Sequence, residues 1–190
     1  MTLRCETRDG RPYALGLRAD ARALLELLSL QPYELSLVLT GDSAIRELNR
    51  VFRSQDRATD VLSFPQLEVP PHGRTEERVP NGSAMPAMLG DVVISMDTAS
   101  RQARSQGITP ELRLRTLLVH GVLHLLGYDH ELSRADARRM FARERELLAA
   151  LARGRGDRSS IVRRPEAERK RLTRSPSASS LSIGGSSAQR

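Results

Sequence analysis

The chain reads His120-Gly121-Val122-Leu123-His124-Leu125-Leu126-Gly127-Tyr128-Asp129-His130, a stretch that contains three of its four histidines. A helix of about 3.6 residues per turn places His120 and His124 on one face, one above the other. Gly127 can adopt the left-handed conformation that ends a helix, so the chain can then fold back and bring His130 to the same point. The spacing therefore predicts a metal site with three nitrogen ligands.

The residues around these histidines favour a buried helix. Unpaired imidazoles are costly in such surroundings, whereas a cation would satisfy them. Three protein nitrogens leave the fourth position of a tetrahedral zinc ion open for water, as in catalytic zinc sites. Zinc is the expected ion, although copper, iron and nickel also accept imidazole ligands. The apolar neighbours are Leu117, Leu118, Val119, Val122, Leu123, Leu125 and Leu126.

The spacing of the histidines also matches the long motif of zinc peptidases, with one difference. Those enzymes carry a glutamate as general base directly after the first histidine, and this chain has Gly121 there. A peptidase would need its base from elsewhere, for example from Asp129. Hydrolysis of a phosphodiester by a metal-activated water is the favoured chemistry.

A second polar segment contains the groups that phosphodiester chemistry requires. A helix is predicted to end near Phe52, and a strand is predicted from Val61 to Phe64. The loop between them carries Arg53 and Arg57. Arginine binds phosphate through two parallel hydrogen bonds and can stabilise charge that develops on phosphorus.

Three segments together resemble the YbeY family of bacterial zinc-dependent endoribonucleases, which act in ribosomal RNA maturation. They occur in the family's order, and the resemblance covers roughly residues 35–150, so chance similarity is improbable for motifs of this length. The segments are His120–His130, Thr59-Asp60-Val61-Leu62-Ser63-Phe64-Pro65 and Leu89-Gly90-Asp91-Val92-Val93-Ile94-Ser95.

The resemblance implies a set of site residues. The zinc ligands fall on His120, His124 and His130, which would hold one Zn²⁺ ion. The functional arginine that precedes the Thr-Asp-Val-Leu-Ser-Phe-Pro run falls on Arg53, and we predict Arg53 and His120 as catalytic residues. No role is assigned to Arg57.

The resemblance further implies a single-strand-specific endoribonuclease that acts in 16S rRNA 3′-end maturation and late-stage ribosome quality control. Its partners would be single-stranded RNA and the ribosome or its small subunit. The nucleophile, water or the RNA 2′-hydroxyl, stays open, as do the cleavage site, the oligomeric state and the protein partners. A zinc-stabilised ribosome-binding factor without catalysis and a metallopeptidase are the alternatives.

The net charge of +7 lies entirely in the C-terminal segment, since residues 152–190 contain ten basic and three acidic residues. Residues 1–151 carry no net charge, so RNA affinity there must come from a local patch. The segment 152–190 is rich in arginine and serine and is predicted to be disordered. It is either dispensable or an electrostatic arm for RNA.

The predicted architecture is an α/β fold, with one zinc-dependent endoribonuclease domain over residues 1–151. A small mixed sheet is packed with helices, and the zinc helix lies near its centre. The stretch Gln66–Met88, which carries His72, is longer than the family's usual connection, and its role is left open. With one cysteine, Cys5, no signal peptide and no apolar run of about 20 residues, the chain is expected in the cytoplasm, away from membranes.

Aromatic residues make up only 3% of the chain, and there is no tryptophan. Base stacking is a usual source of affinity for single strands, so it is expected to be scarce. We therefore expect weak intrinsic sequence preference, with specificity supplied by the ribosome or by a partner protein.

Overall fold

The computed structural model describes residues 1–30, 33–67 and 87–154. These residues form four strands and five helices. In chain order they are β1 (Thr2–Cys5), α1 (Arg11–Leu27), β2 (Glu34–Thr40), α2 (Asp42–Arg53), β3 (Val61–Pro65), β4 (Met88–Ser95), α3 (Met96–Gln106), α4 (Pro110–Leu125) and α5 (Arg134–Gly154).

The strands form one mixed sheet in the order β1-β2-β4-β3. β1 and β2 are parallel, as are β2 and β4, whereas β3 runs antiparallel to β4 at the edge. Leu37 is opposite Val92 in the central pair, and Val61 is opposite Ile94 at the β3 edge. The predicted α/β fold with a small mixed sheet is confirmed.

The two faces of the sheet are covered by different helices, because successive side chains of a strand point to opposite sides. On one face, Leu37 and Val92 join the larger apolar cluster with buried residues of α1, α4 and α5. On the other face, Val93 packs with Leu62 of β3 and with Ile45 of α2. Helix α4 is buried along most of its length and contacts β3, β4, α1, α3 and α5, so it is the central helix that the sequence predicts.

Both ends of α4 are fixed by local sequence. Thr109 caps the start, where its hydroxyl accepts a hydrogen bond from the backbone N–H of Leu112 at 3.2 Å. At the other end Gly127 has a φ of 79°, and the N–H of Tyr128 donates to the carbonyl of Leu123 at 3.1 Å. This is the Schellman arrangement, which glycine adopts without strain. The predicted turn after the helix is confirmed.

Helix α4 approaches the sheet most closely at Gly121. A Cβ atom added there would lie 2.8 Å from Cγ1 of Val92 and 3.1 Å from Oγ of Ser63. The Ser63 hydroxyl uses this proximity to donate a hydrogen bond of 3.0 Å to the carbonyl of Gly121. Glycine at this position therefore sets the distance between α4 and strands β3 and β4.

Several sequence predictions lie outside the described residues. These are the fold of the tail beyond Gly154 and most of the Gln66–Met88 stretch, including His72. Helix α5 continues to Gly154, three residues past the predicted boundary at 151, and the division into domain and tail stays a prediction. Within the described ranges, the helices are too short or too polar to cross a bilayer.

Replacing Gly121 by alanine should destabilise the protein. The new methyl group would overlap Val92, and overpacking typically costs about 1–3 kcal/mol, more than the roughly 1 kcal/mol that alanine gains over glycine inside a helix. We expect the free energy of unfolding to fall, by up to about 2 kcal/mol, in urea titrations.

Gly154→Ala is the matched control, because an added Cβ there meets no atom within 4 Å. Combining Gly121→Ala with Val92→Ala should cost less than the sum of the two single changes, since the overlap is removed. If Gly121→Ala proves as stable as the unaltered chain, the close approach of α4 to β4 is wrong.

Candidate metal centre

The three histidines predicted as ligands converge on one point. Nε2 of His120 and Nε2 of His124 lie 3.1 Å apart, and the rings of both lie 5.3 Å, centroid to centroid, from that of His130. One nitrogen from each residue lies within 4.8 Å of the others. The structure thus brings together the whole predicted ligand set.

The other nitrogen of His120 is held by a carboxylate from α5. Its Nδ1 lies 2.9 Å from Oε2 of Glu144, and both side chains are largely buried. If Nδ1–H donates to Glu144, Nε2 presents its lone pair toward the other two histidines. A carboxylate on the far nitrogen is the usual support of a metal-binding histidine, because it fixes the tautomer and makes the ligand more basic.

His130 is held by the turn after α4 and by α5. Its ring stacks on Phe141, with centroids 5.7 Å apart and planes at 17°. Phe141 and Glu144 are three residues apart on α5, and residues at that spacing lie on one face of a helix. One face of α5 therefore contacts two of the three histidines.

His124 is kept neutral by its surroundings. Burial is the largest cause that lowers its pKa, to about 4, and the neighbouring His120 and His130 add to this effect. The charge of Asp129 and a hydrogen bond to the backbone of Tyr128 raise the pKa, but more weakly. At neutral pH the ring is uncharged, which is the form that binds a metal ion.

The donor set fits a divalent metal ion. In tetrahedral zinc sites with Zn–N bonds of about 2.0–2.1 Å, two ligand nitrogens lie about 3.3 Å apart. The His120–His124 separation of 3.1 Å is close to that value. Converging lone pairs in a partly buried place repel one another unless a proton or a cation lies between them, and three imidazoles suit a transition metal.

The histidines line a cleft of about 620 Å³ that also contains the predicted arginine. Arg53 ends α2, and its Nη2 lies 3.9 Å from Oε2 of Glu131, the residue after His130. Both side chains are more than half exposed, so this ion pair is weak and leaves the guanidinium free to move to a phosphate. Arg57 lines the same cleft, and its Nε donates to Oε1 of Gln55.

Asn49 fixes the loop that carries these arginines. Its side-chain amide donates to the carbonyl of Arg57 at 2.8 Å. Its backbone carbonyl accepts a hydrogen bond from the backbone N–H of Gln55 at 3.2 Å. Ser54 has a φ of 55°, the left-handed conformation that ends α2 just after Arg53. Asn49 is only 2% exposed, so it belongs to the scaffold of the site.

Asp60 lines the cleft, but its carboxylate is used in structural hydrogen bonds. Its Oδ2 accepts hydrogen bonds from Arg113 and Gln102, each at 3.0 Å. Burial alone would raise its pKa, but these bonds, those to the backbone of Asp60 and Val61, and the charge of Arg113 lower it overall. Asp60 therefore ties β3 to α3 and α4 and is already satisfied as an acceptor.

Gly121 explains why a peptidase base is missing from α4. Any side chain at this position would point into Val92 and Ser63 of the sheet. A glutamate has no room there, so the peptidase mechanism that places its base after the first histidine is sterically excluded. Asp129, the other candidate base, lines the cleft, and its Oδ1 accepts from the N–H of Glu131 at 2.8 Å.

Sequence reasoning missed Glu144, Phe141 and Asn49 as parts of the site. Glu144 could have been found from the sequence, because it lies between the buried residues Met140 and Leu147 on the apolar face of α5. A carboxylate at such a position must meet a partner in the interior.

The fold and the histidines define a class, namely an α/β domain with a three-histidine metal-binding site beside a cleft that contains arginine. The sequence model of the family described as Endoribonuclease YbeY matches residues 16–152. The chain belongs to the YbeY family.

Relatives support this membership. Endoribonuclease YbeY of Myxococcus xanthus is 49% identical over 148 residues, which are 78% of this chain but only 47% of that protein. Endoribonuclease YbeY of Anaeromyxobacter dehalogenans is 47% identical over 195 residues, covering 98% of this chain and 91% of that protein. A protein of Thermotoga maritima solved in solution has a similar fold, with a TM-score of 0.56 and 24% identity over 86% of this chain and 97% of its own.

Removing the Glu144 carboxylate should weaken metal binding. Loss of such a supporting group typically lowers affinity 10- to 100-fold. We expect Glu144→Ala to show a loss of this size for Zn²⁺ and Co²⁺ in competition with a chelating indicator, and Glu144→Gln to show a smaller one.

Glu146→Ala is the matched control. Glu146 is on the same helix but is exposed and pairs with Arg143. Equal affinities for Glu144→Ala and Glu146→Ala would show that Glu144 does not support the metal site.

Proposed function

We propose that this protein is a zinc-dependent, single-strand-specific endoribonuclease that hydrolyses RNA phosphodiesters. The observation that carries the proposal is the convergence of three imidazoles in the same cleft as Arg53, in a chain that belongs to the YbeY family. Its substrate would be 16S rRNA. It would act in 3′-end maturation and in late-stage ribosome quality control, and it would be located in the cytoplasm.

Each site residue has a distinct task in this proposal. His120, His124 and His130 hold the zinc ion, which when bound lowers the pKa of a coordinated water or polarises a phosphoryl oxygen. Glu144 keeps the His120 ring in position. Arg53 binds the scissile phosphate and stabilises the negative charge that grows on its oxygens in the transition state.

The charge of the cleft explains why a polyanion would need the metal ion. Two arginines, Arg53 and Arg57, line it together with three carboxylates, those of Asp60, Asp129 and Glu131. Arg113 neutralises Asp60 from outside the cleft lining. A bound dication therefore turns a nearly balanced site into a positive one that attracts phosphate.

Cleavage of a single-stranded 16S rRNA fragment by the full chain tests the proposal. We expect zinc-loaded protein to cleave and a chelator to abolish cleavage. Arg53→Ala should lower kcat about 100- to 1,000-fold, as loss of a group that stabilises transition-state charge does. A 2′,3′-cyclic phosphate on one product and a 5′-hydroxyl on the other would identify the 2′-hydroxyl as the nucleophile, whereas a 3′-hydroxyl and a 5′-phosphate would identify water.

Arg50→Ala is the matched control. Arg50 is on the same helix, similarly exposed, and pairs with Glu47 away from the cleft. Cleavage that survives both a chelator and Arg53→Ala would come from a contaminant and would favour a ribosome-binding factor without catalysis. Zinc-dependent cleavage of a peptide in place of RNA would favour the metallopeptidase.

A further inference from the structure

The few phenylalanines of this chain are concentrated at the metal site. The sequence has three, Phe52, Phe64 and Phe141, and no tryptophan. Phe52 and Phe64 line the cleft, while Phe141 stacks on His130. The low aromatic content of the chain therefore understates the aromatic surface that a ligand in the cleft would meet.

Phe52 has a free aromatic face. Its ring packs against that of Phe64 edge to face, with centroids 5.0 Å apart and planes at 66°. Such a pair covers at most one face of either ring. Phe52 is 63% exposed, whereas Phe64 is half-buried against the apolar cluster of Ile45, Leu62 and Val93.

The position of the ring limits what it can bind. Phe52 directly precedes Arg53 at the end of α2, so an apolar ring and a guanidinium stand side by side in the cleft wall. Phe64 on β3 contacts the ring of Phe52 on α2. A flat apolar face beside a phosphate-binding group matches a nucleotide, which carries a base and a phosphate on one sugar.

We infer that Phe52 is a base-stacking residue that holds a nucleotide next to the scissile phosphate. This inference rests on the proposed function and names the contact through which the cleft recognises single-stranded RNA. Bases in a duplex are already stacked and cannot cover Phe52, so the ring selects unpaired nucleotides. All four bases have an aromatic face, so the contact leaves sequence preference weak.

Steady-state cleavage by zinc-loaded full chain tests the inference. Base–aromatic stacking typically corresponds to a roughly 5- to 150-fold change in affinity. Phe52→Ala and Phe52→Leu should raise KM by such a factor and change kcat little, whereas Arg53→Ala acts on kcat. Phe52→Tyr and Phe52→Trp should keep the KM of the unaltered chain, because both side chains retain an aromatic face for stacking.

Leu15→Ala is the matched control, since Leu15 is an apolar residue on α1 that is 81% exposed. It should leave KM unchanged. Phe52→Leu with the KM of the unaltered chain would overturn the inference, because leucine keeps the apolar volume and removes only the ring.

A fluorescence measurement gives a second test. Because the chain has no tryptophan, Phe52→Trp introduces a single reporter. Titration with an oligouridylate bearing 2′-O-methyl groups should quench its emission, and Leu15→Trp should show no quenching. Binding of the oligonucleotide without quenching at position 52 would place the bases elsewhere and overturn the inference.

The two proposals fail in different ways. If the unaltered protein neither binds nor cleaves single-stranded RNA, the proposed function itself is wrong. If it cleaves RNA and Phe52→Ala cleaves equally well with the same KM, only the stacking contact is wrong. Loss of association with a ribosomal protein in that same variant would assign the exposed ring to protein docking instead.

Discussion

Helix α4 lies so close to the sheet that only glycine fits at their contact, and the site depends on this approach. Gly121 brings the helix against Val92 and Ser63, and the neighbouring His120 lines the cleft together with residues of β3. His124, one helical turn further along α4, provides the second imidazole. The turn at Gly127 then reverses the chain, so that His130 provides the third. Burial keeps the His124 ring neutral, and three converging imidazole nitrogens suit a bound cation.

Helix α5 supplies the support that the ligands need. Glu144 is hydrogen-bonded to Nδ1 of His120, and Phe141 stacks on His130. Because both come from one face of a helix that also contributes to the main core, ligand geometry is tied to global packing. Loss of that packing would displace both His120 and His130. Folding and metal binding should therefore be coupled.

The sequence predicted the parts of the site that are encoded locally. The His120–His124 spacing, the turn at Gly127 and the cap at Thr109 depend on residues a few positions apart, and the structure confirms each. Glu144 and Phe52 depend on which helices and strands meet, which periodicity does not reveal. The count of aromatic residues suggested little stacking surface, yet their location in the cleft could be seen only after β3 and α2 were placed together.

The central claim is that the imidazoles of His120, His124 and His130 bind one divalent ion. Elemental analysis of the purified full chain, combined with X-ray absorption at the zinc edge, tests it most directly. We expect about one zinc per chain, with three imidazole nitrogens and an oxygen ligand at about 2.0–2.1 Å. Protein that carries no transition metal after loading, or an absorption spectrum without imidazole ligands, would contradict this account.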